Sequence, residues 1–107
     1  MQYEPDKLHA RLISLGEDWA DKEAAASLLE ETRRSVRAEL MRESNATSVA
    51  AAEAQAEAAM KYKEHLKDMV EARRIANRAN VNYKAAMVYI DLYRSHEATR
   101  RAELTKL

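Results

Sequence analysis

One glycine and one proline in 107 residues leave the backbone almost no place to turn sharply or to enter a left-handed conformation. The rest of the chain is rich in Ala, Glu, Lys, Arg and Leu, which lose little on entering a helix. β-branched and aromatic residues are too sparse and too unpatterned for a sheet. The expected fold class is all-α. One helical domain over residues 1–107 suits the length.

The few breakers suggest where helices begin and end. Pro5 suits the first turn of a short helix over about 5–14, which carries Leu8, Leu12 and Ile13 on one side. Gly16 follows Leu15, where a left-handed C-terminal cap would sit, and Asp18 can cap a second helix. That second helix is expected over about 18–42, with Trp19, Lys22, Ala25, Leu29, Thr32, Val36 and Leu40 on one stripe. Residues 43–48, Glu-Ser-Asn-Ala-Thr-Ser, form the one polar, cap-like cluster inside the chain. Asn45 could take a left-handed conformation there, and Thr47 or Ser48 could cap a third helix; with no Gly or Pro to force a break, the alternative is that the second and third helices fuse into one rod.

A long helix is expected over about 48–103, spanning roughly 84 Å. Its first part is Ala-rich. Its later part carries two adjacent seven-residue lines. One runs Ala59, Tyr62, Leu66, Met69, Arg73, Ala76, Asn80, Tyr83, Met87, Ile90; the other runs Met69, Ala72, Ala76, Ala79, Tyr83, Ala86, Ile90, Tyr93. A repeat of seven favours a left-handed supercoil. The expected architecture is therefore a helical hairpin or bundle: a short N-terminal helix, a middle helix and a long coiled-coil-like C-terminal helix. A middle helix of ~25 residues cannot cover one of ~56. The bare remainder points to a homo-oligomer, most simply a two-fold dimer. Ten of the 13 residues in 81–93 are apolar or Tyr, and Val81, Ala85, Val88 and Leu92 form a third line away from the main stripe. A helix apolar nearly all round is buried nearly all round, so this stretch is the expected centre of an assembly or the docking site of a partner protein. The candidate interface comprises Leu66, Met69, Ala76, Tyr83, Met87, Ile90 and Tyr93, with Val81, Val88 and Leu92.

Net formal charge is zero, which argues against a wholly basic nucleic-acid binder. The halves differ, however. Residues 1–60 carry 7 Lys and Arg against 12 Asp and Glu, and residues 61–107 carry 11 against 6. An acidic helix lying beside a basic one accounts for this, within the chain or across a dimer. The alternative is a nucleic-acid accessory protein. Residues 71–84 are rich in Arg and Asn, and Arg73, Arg74, Arg78 and Lys84 are the candidate contacts. Against that reading, Arg73 and Asn80 also lie on a seam line, where a buried Asn fixes register.

No enzyme chemistry is indicated. There is no Cys, no glycine-framed Ser and no phosphate-cradling loop, and His9, His65 and His96 are far apart in sequence. Glu64, Asp68 and Glu71 share a face beside His65, but the Glu-x-x-His pairs of di-iron bundles are missing, so no metal and no cofactor is expected. No apolar run approaches the ~20 residues of a membrane span, and the first residues lack a signal-peptide pattern. The expectation is a cytoplasmic protein without membrane contact.

Overall fold

The computed structural model describes residues 4–106, and among these it is all-helical, with no strand. Helix α1 spans Pro5–Glu43, α2 spans Val49–Ala58 and α3 spans Met60–Thr105. Helix α1 runs antiparallel to α2 and α3. Arg37 reaches Glu53 and Glu57, His65 reaches Leu29, Arg73 reaches Glu23 and Glu30, and Gly16 meets Tyr83. The result is a rod with extents of 86 × 20 × 17 Å.

Helix α1 passes through Gly16 without a break, contrary to the two helices expected from the sequence. The register explains this. Leu8, Leu12, Leu15, Trp19, Lys22, Ala26 and Leu29 alternate in steps of four and three across the glycine, and Val36 and Leu40 continue the same phase. Ending the helix at Leu15 would discard that line. Gly16 has no positive φ. It is instead a site of close approach, because a Cβ there would lie 3.2 Å from Cε2 of Tyr83. Asp18 is consequently not a cap but an interior residue, paired with Lys22 at 2.9 Å. Ala26, not Ala25, is the buried alanine of this stripe.

The turn at residues 44–48 is present. The Ser44 hydroxyl donates to the Met41 carbonyl at 2.9 Å, closing α1, and Ser48 caps α2 by accepting from the Ala51 N–H at 3.1 Å. Asn45 does not enter the left-handed region, since no described residue has a positive φ. Extended backbone at Ser44 and Ser48 makes the reversal instead.

The expected helix over 48–103 is divided at Ala59, whose ψ of 139° is extended. Ala59 ends one helix and starts the next: its N–H bonds to the Ala56 carbonyl, and its own carbonyl accepts from Tyr62 and Lys63. Packing supplies the reason. Ala56 and Tyr62 are both buried. Six residues apart on one continuous helix, they would point about 120° away from each other. One extended residue resets the phase so that both face inward.

Candidate interaction surface

The seven-residue lines of α3 lie where its backbone meets α1. Ala76 and Ala79 are buried, and Leu66, Met69, Ala72, Arg73, Asn80, Tyr83, Ala86, Ile90 and Tyr93 are half-buried. Tyr83 packs against Trp19 with ring centroids 5.6 Å apart, and Ile90 shares grooves with Leu8 and Leu12. The front of α3 is therefore not bare, contrary to the expectation from helix lengths. Because α1 is continuous, its first turns reach Ile90 and cover that face from within the chain. Residues 98–106 run on past the level of Pro5 and are exposed.

The other candidate interface residues are not covered. Val81, Val88 and Leu92 are 64 %, 56 % and 65 % exposed, and Met87 is 41 % exposed. Val81, Ala85, Val88 and Leu92 lie on the back of α3, opposite Ala79, Tyr83, Ala86 and Ile90. On one flank an open groove of about 590 Å³ is lined by Leu8, Leu15, Ala85, Ala86, Tyr89 and Ile90, among others. The candidate set thus divides into a front stripe packed against α1 and a back stripe in solvent.

The four basic residues considered for nucleic acid are not equivalent. Arg73 is held by two carboxylates of α1. Its Nη1 donates to Glu23 at 2.6 Å, and its Nε and Nη2 form a bidentate pair with Glu30 at 2.7 and 2.9 Å. Hydrogen bonds to Glu30 and then Glu23 hold the guanidinium more firmly protonated than usual, and the Glu30 carboxyl is in turn pushed below its ordinary range. Arg74 makes a bidentate pair with Glu71 on its own helix, which lowers the Glu71 pKa. Arg78 and Lys84 are exposed and form no ion pair among the described residues. Acid on α1 facing base on α3 is the arrangement that the charge asymmetry suggested, and it is realised locally at Arg73.

His65 has a partner that its sequence neighbours did not reveal. Its Nε2–H donates to the Leu29 carbonyl at 2.7 Å, across the helix pair. Among the described residues no three His, Asp or Glu side chains converge on one point. Asn80 is half-buried with no partner for its Oδ1. No helix of the described residues is long and apolar enough to cross a membrane. No protein-family model, curated protein or solved structure matches the chain.

Proposed function

We propose that this protein is a non-enzymatic structural or protein-interaction module that self-associates through its long helices. The observation that carries this reading is the mismatch between surface and core. Among the described residues the buried ones are four alanines and Tyr62, and no large side chain is fully buried. The chain exposes 8317 Å², whereas a compact monomer of its mass exposes about 6,100 Å². Its radius of gyration is 23.8 Å, against about 13 Å for a compact domain of this length. A thin helix pair with so small a core gains from association, because burial against a second surface supplies the apolar contact that it lacks. The seven-residue repeat of α3 supports a coiled-coil-like pairing with α1, which leaves the stripe of Val81, Val88 and Leu92 as the surface available for association.

The second reading, nucleic-acid binding through residues 73–84, is less favoured because Arg73 and Arg74 already bind carboxylates. What favours it is Arg78 and Lys84, two exposed cations outside any ion pair among the described residues. Absolute mass by light scattering after size exclusion tests both, run at low and moderate salt with and without a short DNA duplex. A dimer or larger species unaffected by DNA is expected. Val88→Glu should lower the mass to that of a monomer while leaving the helical circular dichroism in place. A strict monomer at every concentration overturns self-association. A DNA-dependent mass increase that disappears with salt promotes the second reading.

A further inference from the structure

The back of α3 is more specific than a general apolar patch. Val81, Ala85, Val88 and Leu92 are spaced four, three and four, so they form a single seam. Beyond the seam, the same line carries Arg74 and Arg78 at one end and Ser95 and Thr99 at the other. The apolar seam therefore ends abruptly after about 17 Å. A partner must present an apolar seam of the same short length, with polar surface at both ends.

Resting on the self-association reading, we infer that this seam docks an identical seam of a second copy of the chain, antiparallel, about a two-fold axis between Ala85 and Val88. Laid antiparallel, the segment is complementary to itself. Val81 meets the partner's Leu92, and the small Ala85 meets the partner's larger Val88. The flanks carry the orientation. Lys84 and Asp91 lie seven residues apart on one flank, both exposed and neither in an ion pair among the described residues. Antiparallel pairing sets Lys84 beside the partner's Asp91 and repeats the pair across the axis. On the other flank it sets Asn82 beside the partner's Tyr89, an amide next to a hydroxyl. Parallel pairing would bring the Asn82 and Tyr89 flank against Lys84 and Asp91 and leave both charges unmatched. Helix α1 lies on the opposite side of α3, so the two copies of α1 end up outermost without collision. A seam this short belongs with the small, weakly associating class of interfaces.

Because the chain has no cysteine, single cysteines report the geometry directly. Val81→Cys and Leu92→Cys proteins, treated with a short bismaleimide, should each fail to crosslink alone and should give covalent dimer when refolded together. In an antiparallel pair each site lies about 16 Å along the axis from its own copy but opposite the other site. Crosslinking of either protein alone, or a dimer by light scattering with no crosslink in the mixture, overturns this seam and leaves self-association standing. A monomer by light scattering at all concentrations overturns both. Lys84→Glu should weaken the dimer roughly tenfold, since two ion pairs become two repulsions. Lys84→Glu combined with Asp91→Lys should restore it. Failure of the double reversal to recover affinity overturns the antiparallel assignment.

Discussion

Near the turn, polar side chains cross-link the helices; at the opposite end, apolar and aromatic side chains hold them. Arg37 with Glu53 and Glu57, Arg73 with Glu23 and Glu30, and His65 with the Leu29 carbonyl all lie on the turn side. There Ala26, Ala56, Ala76 and Tyr62 make the buried line. At the open end Leu8, Leu12, Leu15 and Trp19 meet Tyr83, Ala86 and Ile90, with shallow grooves on either side and Met87 exposed at the edge of one. All cross-helix ion pairs among the described residues belong to the first region. Small residues allow close approach but supply little apolar area, so directional bonds add orientation there. Large residues at the open end supply area, but one facing helix cannot cover all of it, and Val81, Val88 and Leu92 stay in solvent. The end richest in apolar residues is thus the less enclosed one.

The largest expected effect comes from placing a charge at the open end. Ile90→Asp should destabilise the pair by about 3 kcal/mol in urea unfolding, because it removes the apolar side chain beside Leu8 and Leu12 and sets a carboxylate against them. An unchanged midpoint would mean that the open end contributes nothing to stability. Tyr83→Ala comes next, at about 2 kcal/mol, since it removes the Trp19 contact and opens space beside Gly16. Tryptophan fluorescence should shift to longer wavelength in the same variant. A blue-shifted or unmoved emission would contradict the packing.

The turn side is probed by acid. The Glu30 carboxyl is held below its ordinary value of 4.5 by the Arg73 hydrogen bonds. A lowered folded-state pKa gives stability that is fully present above 4.5 and is lost as pH falls through the lowered value. Glu30→Gln should therefore make the loss of stability below pH 4.5 shallower and leave the profile near neutral pH flat. An identical acid limb in both proteins would show that the bridge is not linked to folding. The smallest effect is at Gly16. Gly16→Ala gains up to ~1 kcal/mol of helix propensity. The new Cβ would press on Tyr83 at 3.2 Å, but Tyr83 borders an open groove and can yield by a few tenths of an ångström. A modest rise in midpoint is expected, and a fall would mean that the Trp19–Tyr83 contact cannot adjust.

Helical class was legible because it is a local property. Low Gly and Pro with abundant Ala, Leu, Glu, Lys and Arg biases every window the same way. The polar cluster at residues 43–48 was legible for the same reason, since Ser side chains compete with helical bonds close by in sequence. The two lines of α3 could also be read, because a period of seven needs no knowledge of the partner. What they face could not be read. The same stripe serves contact within the chain or between chains, and the choice falls to α1, whose continuity through Gly16 a lone glycine after Leu15 masks. The unbroken line from Leu8 to Leu29 was the signal that could have shown it.

Composition and periodicity alone determined that this chain is helical, offered residues 43–48 as a place where it can reverse, and marked the apolar lines of α3. Only the tertiary structure decided three further things: that Gly16 is a contact point, that Ala59 breaks the phase, and that Arg73 belongs to Glu23 and Glu30. The physical reason is separation along the chain. Helix propensity and capping act within a few residues, whereas these three outcomes depend on side chains brought together from distant positions, where packing overrides local preference.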